Sequence, residues 1–196
     1  MASSPLPLVL ASSSVYRQAL LEKFGIPFIT ATPDVDELRL AEEPAFDLVR
    51  RLAFEKATAL KAEFPEHLII GSDQVAVCQG RILGKPHTRA RAIDQLKRSS
   101  GQEVVFYTGL CLYNSATQES HCIVDPFTVE FRELTEAEIC RYVDQEKPFN
   151  CAGSFKSEGF GITLFKRMRG DDPNSLIGLP LIQLAELLRL NGVQLP

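Results

Sequence analysis

The 196-residue chain has the length of one domain, with room for two lobes and a sizeable core. Its 45% hydrophobic and 23% charged residues are ordinary for a globular protein. A net charge of −4 excludes a general attraction to nucleic acid or an anionic membrane, so any phosphate binding has to come from a few placed lysines and arginines.

The opening stretch, MASSPLPLVLASSS, has the superficial look of a signal peptide, but it lacks a basic start, and Pro5 and Pro7 break its apolar run. No segment approaches the roughly 18 apolar residues of a membrane span. Five cysteines without a C-x-x-C pair fit buried thiols in a reducing compartment better than disulfides or zinc, and three scattered histidines make a histidine metal site a poor reading. The expectation is a cytoplasmic protein with no membrane or nucleic-acid partner.

Leu6 to Ala11 reads as a first strand, leading through Ser12-Ser13-Ser14 into a helix over Val15 to Phe24. A serine supplies the N-cap, Ala19, Leu20 and Phe24 the apolar face, and Gly25 the stop. A strand entering a helix through small polar residues presents free amides and the positive end of the helix dipole, which is a ready anion site. Arg17 in the first turn opposes the dipole and is better explained as a phosphate ligand; a plain serine cap beside an exposed arginine explains the segment equally well. G-x-x-x-x-G-K-[ST] is absent, so this is not a Walker loop.

The loop Thr32 to Glu37 is acidic, and Asp34, Asp36 and Glu37 can bring oxygen ligands to Mg²⁺, which takes one or two protein carboxylates plus substrate phosphates. Acidic surface loops are common, so the loop alone says little. Pro44 to Phe64 reads as a long helix followed by Pro65. Leu48, Leu52, Lys56 and Leu60 fall on one stripe of it by i, i+4 spacing, so Lys56 either snorkels or reaches into a site.

His67 to His87 carries the sharpest signal. Leu68-Ile69-Ile70 reads as a buried strand interrupted at Gly71-Ser72-Asp73-Gln74, and Val75 to Cys78 as a second strand that turns at Gln79-Gly80 into Arg81-Ile82-Leu83. A charge between two apolar runs is costly without a partner or a task. Asp73 can hold a metal or take a proton from water, and Lys85 can meet a phosphate; alternatively Asp73 caps a turn and Lys85 is solvated.

Thr88 caps a helix to about Ser99, with Arg89, Arg91, Lys97 and Arg98 as its solvated face. Val104 to Tyr113 and Ser120 to Phe131 form a hairpin across Asn114 to Glu119, and Thr135-Glu136-Ala137-Glu138 is a capping box opening a helix to about Gln145. Gly153 to Gly161, GSFKSEGFG, reads as a strand with tight backbone packing or a loop closing on a ligand. Pro180 to Leu190 is a last amphipathic helix. Alternating strands and helices with central hairpins predict an α/β fold on a mixed sheet.

Taken together, LASSSVYRQALL, Val35-Asp36-Glu37, the FEKA around Lys56, GSDQV around Asp73 and GKP at Lys85 resemble the Maf family of nucleoside triphosphate pyrophosphatases over nearly the whole chain. SDQV together with AGSFKSEGFGI looks like the 7-methyl-GTP branch, whereas the dTTP/UTP branch carries a different acidic motif and a YGIQG-like segment. The resemblance implies a single Maf-like domain over residues 1–196: an elongated two-lobed α/β fold on a twisted mixed sheet flanked by helices, with a cleft like that of inosine triphosphate pyrophosphatases. It also implies cleavage between the α- and β-phosphates with a divalent cation, Mg²⁺, Mn²⁺ or Co²⁺. By the motif match Asp73 is the proton acceptor, Tyr16, Gln74 and Glu158 sit at base-selecting positions, Ser12, Arg17, Lys56 and Lys85 at phosphate-binding ones, and Glu37 and Asp73 at the metal. The chain leaves room for a homodimer.

Residue chemistry agrees with this assignment. Cationic 7-methylguanine favours an aromatic face such as Tyr16, and Glu158 can accept from the N1–H and exocyclic amine of guanine. Ser14-Val15-Tyr16-Arg17 departs from the family's Ser-Pro-Arg-Arg, and an aromatic residue at the first arginine fits the 7-methyl-GTP branch. The competing readings are a dTTP, UTP or other modified-nucleotide pyrophosphatase of the same fold, and a nucleotide-binding regulator of cell division.

Overall fold

The computed structural model describes residues 6–195; Met1 to Pro5, the start of the stretch with a signal-peptide look, lie outside it. In chain order the elements are β1 (Leu8–Ala11), α1 (Val15–Glu22), β2 (Phe28–Ala31), α2 (Ala45–Ala59), β3 (Leu68–Cys78), β4 (Arg81–Leu83), α3 (Arg89–Ser99), β5 (Glu103–Asn114), β6 (Glu119–Phe131), α4 (Glu136–Glu146), β7 (Phe165–Arg169), α5 (Pro173–Ile177) and α6 (Leu181–Leu190). Short 3₁₀ turns lie at Ala152–Ser154 and Phe160–Leu164. Among the described residues the strands run in the order β2-β1-β3-β5-β6-β7, with β4 paired to β3, which is a mixed sheet as expected. No helix among them is long and apolar enough to cross a membrane.

The chain divides into two compact units, and β3, β5 and β6 each contribute a part to both. The first unit takes the residues up to Asp73, Thr108–Asp125 and the chain from Gly178. Here β1 pairs in parallel with β2 and β3, aligning Ala11 with Ala31 on one side and Gly71 on the other. Because side chains alternate along a strand, Val9, Ala11, Ile69, Cys111 and Tyr113 share one face, and they pack against Ala53 and Ala57 of α2 and Leu60 just after it. Leu8, Leu10, Leu68 and Ile70 point the other way and are equally buried.

Two glycines set how close α2 comes to the sheet. A Cβ on Gly71 would stand 2.1 Å from the Ala53 carbonyl oxygen, and one on Gly109 would stand 2.1 Å from that of Val49. Neither position tolerates a side chain unless the helix lifts away.

The second unit holds Gln74–Tyr107 and Pro126–Ile177. Its core gathers Ala76, Leu96, Val104, Val129, Ile139 and Val143 around Phe106, Phe131 and Phe155. Phe155 meets the rings of Phe106, Phe131 and Phe165 edge-on at 4.8–5.7 Å, a geometry that the ring quadrupole favours. β3 turns into β4 through Gln79 (φ 48°) and Gly80 (φ 74°), a pair of left-handed residues suited to a two-residue hairpin. The capping box at Thr135 is present, with Thr135 Oγ accepting from the Glu138 amide and Glu138 accepting from the Thr135 amide.

Several expectations need correction. β3 is one continuous strand, so Gly71 to Gln74 do not interrupt it. α2 ends at Ala59, and Phe64 lies beyond it in a turn. Gly153 to Gly161 is not a strand: Gly153 (φ 70°) and Ser154 (φ 63°) break extension, and the segment folds through the two 3₁₀ turns. β2, β7 and α5 are additional short elements.

Candidate active site

The site grows from β3. In a strand that carries Gly71 towards α2, the residue two further on faces the same way, so Asp73 points at the helix. The stripe Leu48, Leu52 and Lys56 on α2, continued by Leu60 at its C-cap, is buried throughout, and Lys56 is 6% exposed. The close backbone approach at Gly71 therefore delivers the Lys56 ammonium to Asp73. Lys56 Nζ donates to Asp73 Oδ1 at 2.7 Å and lies 2.6 Å from Glu37 Oε1. Asp73 is itself buried, whereas Glu37 sits on an exposed loop.

That loop is not loose. Arg51 of α2 donates from Nε and Nη2 to the two Glu43 oxygens and from Nη2 to the Leu38 carbonyl, and the Leu40 amide donates to Glu43 Oε2. The Arg51 hydrogen bond holds the Glu43 carboxyl well below its ordinary range, at about 2, against the opposing effect of burial. Residues 38–43 are thus stapled to α2, next to Glu37.

The opposite side of β3 organises the start of α1. Ser72, fully buried, donates from its hydroxyl to the Gly178 carbonyl at 2.9 Å, and Arg17 Nε donates to the same oxygen at 2.8 Å. Arg17 Nη1 reaches Ser12 Oγ at 3.4 Å, and Ser12 Oγ also accepts from the Ser14 amide. Ser14 caps α1 by accepting from the Arg17 amide. Burial pulls the Arg17 guanidinium below its ordinary value while the charges of Asp73 and Glu37 pull it back up; a guanidinium stays cationic in proteins. Tyr16, half-buried, sits beside Arg17 in the first turn of α1.

Ser12, Arg17, Glu37, Lys56 and Asp73 are thus all in the first unit, with Lys56, Glu37 and Asp73 in direct contact. Gln74, Lys85 and Glu158 belong to the second. There Gln74 Nε2 donates to the carbonyls of Ser175 (2.6 Å) and Leu176 (3.2 Å), which fastens α5. Lys85 is exposed after β4. Glu158 is exposed on the 153–161 segment and accepts from the Ser157 hydroxyl at 3.4 Å.

That segment is anchored by Glu146 of α4. Glu146 accepts from the Phe160 amide at 3.0 Å and pairs with Lys156 Nζ at 3.3 Å, and Lys156 Nζ also donates to the Glu146 carbonyl. Tyr142 accepts from the Lys156 amide, and its hydroxyl is pushed above the usual tyrosine range by burial.

Sequence reasoning singled out neither Ser72, Gly178, Arg51 nor Glu146. Ser72 carried the same signal as Asp73, a polar side chain inside an apolar run. Gly178 acts through its backbone oxygen, which has no sequence signature.

The donor set also bears on a metal. Two carboxylates, Asp73 and Glu37, face one ammonium, and no group of three or more His, Cys, Asp or Glu side chains among the described residues is placed to hold an ion. An all-protein cage is absent from those residues. A pair of oxygen donors suits a hard cation that takes its remaining ligands from phosphates and water.

The fold resembles that of a HAM1 protein from Coxiella burnetii, at a TM-score of 0.52 over 94% of this chain and 99% of that one, with 15% identity. The chain belongs to a narrower class: the family model of the Maf-like proteins matches residues 7–191, so this is a Maf family member. It is 56% identical, over 96% of its length and 98% of theirs, to the 7-methyl-GTP pyrophosphatase of Pseudomonas savastanoi pv. phaseolicola. To the 7-methyl-GTP pyrophosphatase of Vibrio vulnificus it is 57% identical, over 95% of this chain and 96% of that one.

Proposed function

We propose that this protein is a nucleoside triphosphate pyrophosphatase whose substrate is 7-methyl-GTP, cleaved to 7-methyl-GMP and diphosphate. The observation that carries the chemistry is the Lys56–Asp73–Glu37 cluster, a buried carboxylate gripped by a buried lysine beside an exposed carboxylate. The choice of substrate rests on the near full-length likeness to relatives that carry that name.

In this reading Asp73 accepts the proton of the attacking water through a carboxylate oxygen. Lys56, fixed to Oδ1, orients that carboxylate. Glu37 and Asp73 would hold a divalent cation, Mg²⁺, Mn²⁺ or Co²⁺, which would supply Lewis-acid charge neutralisation for the phosphate oxygens. Arg17, Ser12 and Lys85 are assigned to the phosphates, where cationic donors offset the charge that develops as the anhydride breaks. The water oxygen joins phosphorus, its proton passes to Asp73, and diphosphate leaves. Base selection is assigned to Tyr16 for its aromatic face, Glu158 as an acceptor, and Gln74, whose amide already holds backbone carbonyls.

The test is diphosphate release from 7-methyl-GTP, GTP, UTP and dTTP with each cation, comparing wild type and Asp73→Asn. Turnover should peak on 7-methyl-GTP and fall about 10²- to 10⁴-fold in Asp73→Asn, the usual worth of a positioned base. A peak on UTP or dTTP would move the substrate to the pyrimidine branch. An Asp73→Asn protein that still turns over at the wild-type rate would remove the mechanism.

A further inference from the structure

A pair of cysteines, neither of them among the residues assigned to hydrolysis, lies on the β5–β6 hairpin. Cys111 stands three residues before the end of β5 and Cys122 three residues after the start of β6, so the hairpin brings them side by side. The two thiols interact, each acting on the proton affinity of the other. The two thiols differ in access. Cys111 is fully buried, packed with Ala53 and Ala57 beneath α2. Cys122 is half-buried and lines an open pocket of about 350 Å³ with Asp47, Arg50, Arg51, Phe54 and Ser120.

They differ in charge preference as well. Donation from Cys111 lowers the Cys122 thiol below its ordinary value, aided by the nearby charge of Arg50 and opposed by burial. The Cys111 thiol is pushed up, because it is the donor and because it is buried. An accessible, thiolate-prone sulfur next to a sheltered thiol is the arrangement of an attacking and a resolving cysteine. By contrast, burial raises the Cys78 thiol.

We infer that Cys122 is a modification site for hydrogen peroxide, and that Cys111 resolves its oxidised form into a disulfide across the β5–β6 hairpin. The Cys122 thiolate attacks one peroxide oxygen, the O–O bond breaks, and the hydroxide released takes up a proton to leave as water. This gives the sulfenic acid of Cys122. The Cys111 sulfur then gives up its proton and attacks the Cys122 sulfur, and the sulfenic hydroxyl leaves as a second water. Two thiols lose two electrons and one peroxide is reduced to two waters. The new bond lies under α2, the helix that carries Lys56.

The experiment treats the full chain with hydrogen peroxide, unfolds it and maps the remaining thiols. Free thiols should fall from five to three, with a linked peptide containing Cys111 and Cys122 that dithiothreitol separates. In Cys122→Ser all four remaining thiols should survive the same dose. In Cys111→Ala, Cys122 should stop at the sulfenic acid and be captured by a 1,3-dione probe. Arg50→Ala, on the helix surface, should shift alkylation of Cys122 by iodoacetamide to higher pH. Retention of all five thiols at a dose that oxidises free glutathione, or a disulfide joining other cysteines, would overturn the assignment.

Discussion

Two lysine–carboxylate arrangements, one in each unit, answer different needs. Lys56 rises from the last turn of a regular helix, is nearly sealed from solvent, and meets two carboxylates from a strand and a loop. Lys156 sits between two 3₁₀ turns and divides its ammonium between the carboxylate and the backbone carbonyl of Glu146. In the first, packing fixes the lysine and the lysine fixes the carboxylate to which the proposed chemistry is assigned. In the second, the ion pair itself fixes the backbone. Burial makes the Lys56 pair costly to break, while the partly exposed Lys156 pair contributes less charge energy and more positional restraint.

Breaking the first arrangement should have the larger effect. Lys56→Met keeps the apolar stem and leaves Asp73 buried without its ammonium, so unfolding free energy should fall by about 3–5 kcal/mol, with diphosphate release lost as well. Chemical denaturation and turnover measured on the same sample check this. Wild-type stability in that variant would mean that the lysine does not hold the carboxylate.

The second arrangement is sharpened by Glu146→Ala, which removes the carboxylate that accepts from the Phe160 amide and pairs with Lys156, leaving Lys156 only the backbone carbonyl. Stability should drop by about 1–3 kcal/mol, and limited proteolysis should cut first within residues 153–161. Equal cutting of wild type and variant would show that the segment is held by other contacts.

The smallest expected effect lies in the loop that bears Glu37. Glu43 has its pKa lowered from 4.5 to about 2 by Arg51. A lowered pKa gives stability that is fully present above the ordinary carboxylate value and is lost as pH falls through that of the folded protein. Wild type should therefore lose more melting temperature than Glu43→Gln between about pH 5 and pH 2. Parallel melting curves would remove Arg51–Glu43 as the staple.

The parts legible in the sequence are those governed by local chemistry. The serine cap of α1, the Gln79-Gly80 turn, the capping box at Thr135 and the buried stripe through Lys56 all follow from spacing and residue type. The misplaced parts depend on distant partners. Gly71 to Asp73 read as a break because polar groups in an apolar strand need partners, and those partners, Lys56 and the Gly178 carbonyl, lie 17 and 106 residues away. β2 and β7 end the strand order and carry exposed or half-buried side chains, so neither shows an apolar run or a clean alternation. In GSFKSEGFG the glycines and charges signalled a tightly held segment but not its form, since its anchor, Glu146, belongs to another element. Asp73 and Lys56 were legible as residues, and their contact is set by the gap at Gly71.

The oxygen of Gly178 gives the first unit a clock. It accepts from Ser72, 106 residues earlier, and from Arg17, 161 residues earlier. All of the second unit's sequence lies before Gly178 in the chain. A ribosome therefore emits β1, α1 and the Asp73 strand long before the acceptor that locks them exists, and contacts so distant in sequence form late. Until Gly178 is in place, Arg17 and Ser72 lack the oxygen that holds them, and a chain cut short before that residue has both side chains without their final fixing point.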